Sequence, residues 1–172
     1  MTASPRSESK WALLLYVTLP LLVLDQVTKW AILKNFSLHE FHPVIPGFFD
    51  LLLVYNTGAA FGMFSNNNAF FIGLSLFATV LILGIWACGS FVLPLTRWAV
   101  AILLAGVVGN FVDRIQHGAV VDFLGFTLPI YGPWPAFNVA DSCICIAAFL
   151  LLIQSFWDMA TTKKKTPSDT TK

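Results

Sequence analysis

The stretch FNVADSCICIAAFLLL, residues 137–152, places one carboxylate, Asp141, at the head of an apolar run. A bilayer-crossing helix needs about 20 mostly apolar residues, and this run continues to about Trp157. Three other segments meet the same condition, at about 11–33, 69–88 and 97–116. The composition agrees: of 172 residues, 57% are hydrophobic and 11% charged, whereas soluble domains carry about 25% charged residues. Such a chain cannot cover a water-facing surface. It predicts an all-α membrane protein, a single integral membrane domain over 1–172 with four transmembrane helices, the fourth at 137–157.

Four spans leave both termini on one side. That side collects Arg6, Lys10, Arg97, Lys163, Lys164, Lys165 and Lys172; the other has Lys34, with Lys29 and Arg114 near helix ends. The positive-inside rule therefore places both termini in the cytoplasm. The polar stretches 1–10 and 160–172, rich in Ser and Thr, read as flexible cytoplasmic tails. The first span has a basic flank like a signal peptide, but Asp25, Gln26 and Lys29 lie within it and no small-x-small cleavage site follows. It is expected to be retained. In the first outer loop, FFDLLLVY (48–55) reads as one or two strands. This predicts a small extracytoplasmic β-element there. FTLPIYGPWPAF (126–137) supplies Tyr131 and Trp134, suited to a membrane interface. A net charge of +1 favours no nucleic acid. Cys88, Cys143 and Cys145 sit in apolar runs as small packing residues, with no disulfide framework.

The polar residues are layered. Asn110, Asp113, Arg114 and His117 recur at spacings that share a helix face in the outer half of the third span. Gly106 and Gly109 permit a close helix approach, and Gly118 can cap the helix end. GAVVDFLGF (118–126) puts Asp122 just beyond that end. Asn138 and Asp141 open the fourth span, where the helix dipole favours an anion. Asp25 and Lys29, four apart, lie near the outer end of the first. Each embedded charge costs about 2.5–3.5 kcal/mol on insertion scales, so such residues face a bundle interior or a wet cavity and mark a functional site by default. Asp25 with Lys29, or Asp113 with Arg114, can equally be structural ion pairs, and Asn110 and Asn138 interhelical hydrogen-bond glue. Asp122 and Asp141 have no basic neighbour at helical spacing.

Two carboxylates brought close cannot both ionise, and they share a proton. One then acts as base toward a water and the other as acid toward a departing amine, with no cofactor, metal or nucleophilic Ser or Cys required. His39 and His42 lie in a loop beside a proline, and no ligand pattern surrounds His117, so no metal site is expected. NTGAAFG (56–62) lacks the lysine of a phosphate loop; its small residues, Gly58 among them, suit a tight turn.

In this order and between four spans, DQVTK (25–29), YNTGAAFG (55–62), GNFVDRIQHGAVVDF (109–123) and FNVADS (137–142) resemble the motifs of the bacterial lipoprotein signal peptidases, or signal peptidase II, which are intramembrane aspartyl proteases. The resemblance covers about 11–157. It implies Asp122 and Asp141 as the catalytic dyad, with Asn56, Gly58, Asn110, Arg114 and Asn138 lining the substrate site. It implies structural support from Asp25, Lys29 and Asp113, and a β-cradle built from the first outer loop. The implied reaction removes the signal peptide from a prolipoprotein, before a diacylglyceryl-modified cysteine, near the outer leaflet of the inner membrane. The partners are then the prolipoprotein and membrane lipid, and a monomer is expected. Two rivals come from other classes. A proton-coupled transporter places its acids near the midplane, in repeated halves. A non-catalytic lipoprotein-binding scaffold needs Asp122 and Asp141 for stability only.

Overall fold

The computed structural model describes residues 11–58, 67–89 and 93–165. Four helices in it are long and apolar enough to cross a membrane: α1 (Trp11–Asn35), α2 (Asn68–Ala87), α3 (Pro94–His117) and α4 (Val139–Lys165, apolar to Thr161). Four strands, β1 (Phe41–Ile45), β2 (Phe49–Asn56), β3 (Val120–Leu128) and β4 (Gly132–Phe137), form one antiparallel sheet in the order β1-β2-β3-β4.

Local chemistry sets the helix limits. Pro94 opens α3 where its missing N–H costs nothing. Gly118 closes it in the left-handed conformation, φ 73°, with its N–H on the Arg114 carbonyl. In α1, Leu14–Thr18 is π-helical, and Leu19 N–H reaches back to Leu14 O. Pro20 follows directly; lacking an N–H, it frees a carbonyl one turn earlier and favours the looser winding.

α3 is the central helix and packs on α1, α2 and α4. Its buried face is built from small residues, Ala99, Ala101, Ala105, Gly106 and Gly109. A methyl on Gly106 would lie 2.5 Å from the Ala140 carbonyl, and one on Gly109 2.6 Å from Asp25 Oδ2. Both α4 and α1 therefore meet α3 at the depth of the acids, an approach only glycine permits. Large apolar side chains such as Val27, Phe77, Val80, Leu152 and Phe156 point outward, the arrangement expected when the surrounding solvent is lipid.

The fold class is the expected one, with shifted boundaries. Half of the sheet comes from outside the first outer loop: β3 and β4 belong to the segment after α3. Asp122 thus sits on a strand, not in a loop. The strand opens with four buried residues, so it lacks the alternation that announces a half-exposed strand. β4 carries Pro133 and Pro135, which an edge strand tolerates. Phe137 ends that strand, and α4 starts at Val139 rather than 137. α3 begins at Pro94, ahead of 97. α4 stays helical to Lys165, so the segment 160–165 is not tail. Residues 1–10 and 166–172 lie outside the described residues.

Candidate active site

Each acid is delivered by a different element. In the β2–β3 ladder Val54 faces Asp122 and Asn56 faces Val120, so Asn56 is the diagonal, same-face neighbour of Asp122. Asp141 stands in the first turn of α4, three residues after Asn138. The Asn138 side-chain oxygen accepts from Asp141 N–H at 2.8 Å, and Asp141 Oδ2 accepts from Asn138 N–H at 3.2 Å. This reciprocal pair is a capping box. The helix start therefore orients Asp141 by the same bonds that satisfy its own backbone.

One side chain joins the two acids. Asn138 is 0% exposed. Its Nδ2 donates to Asp122 Oδ1 at 2.8 Å, while its Oδ1 takes the Asp141 amide. Asn56 Nδ2 donates to Asp122 Oδ2 at 3.0 Å, and Asn110 Nδ2 to Asp141 Oδ1 at 2.7 Å. Among the described residues, both carboxylates are met by neutral amides and neither forms an ion pair. Burial, and then the adjacent Asp141 charge, push Asp122 up to about 7 against the hydrogen bonds from Asn56 and Asn138.

A cavity of about 840 Å³ opens beside the pair, between α2, α3, α4 and β4. Asn56, Asn110, Arg114 and Asp141 give it one polar wall. Phe71, Leu74, Val107, Trp134, Phe137 and Ile144 supply much of the rest. Asp122 itself is 2% exposed and does not line the cavity, but Asn56, which does, donates to it. Arg114 Nη2 donates to the Gly58 carbonyl at 2.7 Å, and its guanidinium lies 4.5 Å over the Phe71 ring. Arg114 Nη1 is buried without a hydrogen-bond partner among the described residues.

The remaining polar residues separate into two groups. Lys29 bridges Asp25 and Asp113, at 2.8 Å each, so Asp113 pairs with α1 and not with Arg114 beside it. Adjacent helical residues point about 100° apart, which turns Arg114 to the cavity. His117 is exposed and lies 6.3 Å from the Tyr55 ring; it leaves the polar face that its spacing suggested. His42 pairs with Glu40 at the surface. Three contributors were given no site role from the sequence, although Gln26 lies inside the DQVTK motif. Gln26 donates to Asp25 and Asp113, at 3.1 Å each. Asn68 donates to the Arg114 carbonyl at 3.0 Å. Phe71 seats the guanidinium.

Residues 17–157 match the family model described as signal peptidase (SPase) II. The chain belongs to the signal peptidase II family. Lipoprotein signal peptidases similar to it include that of Ralstonia nicotianae, 47% identical over 136 residues, 77% of each chain. That of Syntrophotalea carbinolica is 40% identical over 153 residues, 87% of this chain and 94% of the relative. That of Neisseria meningitidis is 37% identical over 171 residues, 96% and 99% respectively. A bacterial membrane enzyme solved by the in meso method at 2.3 Å resolution superposes with a TM-score of 0.81 at 29% identity, over 90% of this chain and 94% of that one. This signal peptidase II is thus a multi-pass membrane protease, and three of the motifs that resembled the family contribute described residues to the cavity wall: Asn56 and Gly58, Asn110 and Arg114, and Phe137, Asp141 and Ser142.

Proposed function

We propose that Asp122 and Asp141 are the catalytic dyad of this signal peptidase II, and that it cuts prolipoproteins before a diacylglyceryl-modified cysteine. The observation that carries this reading is the pair of carboxylates tied through Asn138, one of them facing an apolar cavity. Two acids so placed hold one proton between them. We assign it to Asp122, which is 2% exposed whereas Asp141 faces the cavity, and whose pKa burial and the Asp141 charge raise to about 7. Asp141, in the first turn of α4, is the ionised partner favoured by the helix dipole.

The steps follow. Asp141 takes a proton from a water as the water oxygen attacks the scissile carbonyl carbon. Asp122 gives its proton to the carbonyl oxygen. Collapse of the tetrahedral intermediate returns that proton to Asp122, breaks the C–N bond, and sends the Asp141 proton to the leaving amine. The apolar walls suit a signal helix and acyl chains, and Arg114 Nη1 is left to hold a peptide carbonyl or lipid head-group oxygen. The distribution of basic residues supports a topology with both termini in the cytoplasm and the dyad near the outer leaflet of the bacterial inner membrane. The enzyme acts as a monomer and without a metal or cofactor.

The test is a gel-shift assay in detergent on a diacylglyceryl-modified prolipoprotein, with Asp122→Asn and Asp141→Asn beside the wild type. Cleavage by wild type alone supports the dyad. A folded variant that keeps near wild-type rate removes its residue from it. A folded wild type that spares a substrate cut by another signal peptidase II overturns the substrate assignment.

A further inference from the structure

Behind the dyad lies a second charged cluster, none of whose members lines the cavity. Asp25 and Lys29 on α1 and Asp113 on α3 are 1%, 2% and 1% exposed. Two acids and one base are a poor device for stability alone, because desolvation offsets most of the attraction between buried charges. What these side chains hold is backbone. Asp25 Oδ1 accepts from Ala140 N–H at 2.8 Å, the residue before Asp141. Asp113 Oδ2 accepts from Val121 N–H at 3.0 Å, the residue before Asp122. Lys29 ties the two acids together, at 2.8 Å to each. Its ammonium also donates to Asn110 Oδ1 at 3.1 Å. An ammonium has donors only, so Asn110 must turn its oxygen to Lys29 and its NH₂ to Asp141, where it lies 2.7 Å from Oδ1. The flipped amide would set oxygen against carboxylate.

We propose that Lys29, with Asp25 and Asp113, is a positioning clamp that sets the spacing of Asp122 and Asp141 and the orientation of Asn110; it rests on the reading of those two acids as the dyad. The clamp spans four elements. Side chains from α1 and α3 grip β3 immediately before one acid and α4 immediately before the other. None of the three touches substrate. Each acts through a neighbour.

Lys29→Met alone leaves two uncompensated acids in the bundle and tests only folding. Two charge-balanced pairs, Asp25→Asn/Lys29→Met and Asp113→Asn/Lys29→Met, reduce this to one acid and keep the net charge of the native cluster. Each is purified at full length in detergent, its folded fraction measured by size exclusion and melting. The kcat and KM on a diacylglyceryl-modified prolipoprotein are then expressed per folded molecule. The expected kcat is lower by about 10²-fold, the effect of a displacement of about 1 Å in a reacting group. KM stays within about twofold, because the cavity walls are unchanged and the lost interaction acts in the transition state. Wild-type kcat in either pair, a loss confined to KM, or failure of both pairs to fold overturns the clamp. Asp122→Asn and Asp141→Asn, assayed alongside, separate the two ideas. If they cleave, the dyad fails and the clamp with it. If they are inactive while a charge-balanced pair keeps wild-type kcat, only the clamp fails.

Discussion

Asp122 has an ordinary carboxyl chemistry in an unusual setting. A free aspartate titrates near 3.9, whereas burial and Asp141 hold the Asp122 proton to about 7. Between those values the folded protein binds more protons than the unfolded chain, so stability falls as pH rises from about 4 to about 7. Asp122→Asn carries no charge at any pH and removes that dependence. Its melting temperature should gain on wild type between about pH 5 and about pH 8; an equal gap at both would place the proton elsewhere. Turnover should fall about tenfold per pH unit above about 7 as Asp122 loses its proton. Asn138 is the other decisive residue. Its amide serves both acids, so Asn138→Ala should cost about 1–3 kcal/mol in stability and on the order of 10²-fold in kcat, read by melting and initial rates.

At the level of elements, the site depends on how closely α1 and α4 approach α3. Gly109 and Gly84 make a controlled comparison. A methyl at Gly109 runs into Asp25 Oδ2 at 2.6 Å and Ala140 Cβ at 3.1 Å, while one at Gly84 meets nothing within 4 Å. Gly109→Ala should therefore destabilise by about 1–3 kcal/mol through overpacking. Gly84→Ala, inside α2, should be neutral or stabilise by up to about 1 kcal/mol through helix propensity. Similar melting shifts for the two would contradict the close helix contact. Asp25→Ala breaks a buried ion pair and leaves Ala140 N–H without its acceptor. A loss of about 3–5 kcal/mol is expected, seen as a lower melting temperature.

Across the whole molecule, one end of the bundle carries the sheet with Asp122 and Asp141, and Arg97 stands in the first turn of α3 at the other. Ile130 and Tyr131 at the β3–β4 turn are 88% and 81% exposed, so the turn offers a reporter of orientation. In a background with Cys88, Cys143 and Cys145 replaced, Ile130→Cys should react with a membrane-impermeant maleimide added outside intact spheroplasts. Labelling only after lysis would invert the proposed topology. Chelators should leave turnover unchanged, since protons and amides suffice for the dyad chemistry; inhibition by EDTA that added metal reverses would contradict it.

Near-neighbour chemistry decided much of this protein from its residues alone. Four apolar runs of bilayer length, an acid heading α4, a glycine ending α3 and small residues on the α3 face all act within a turn or two of helix, so composition and spacing expose them. Asp113 stands beside Arg114 in sequence, yet it pairs with Lys29 on another helix. Asp122 follows a helix and looks like loop until β2 pairs with it, across more than 60 residues, and makes it strand. His117 shares a spacing with the site and still faces outward. These outcomes belong to tertiary structure, because which partner a buried charge finds and which strand satisfies a backbone depend on segments far apart in the chain, whose meeting no local period encodes.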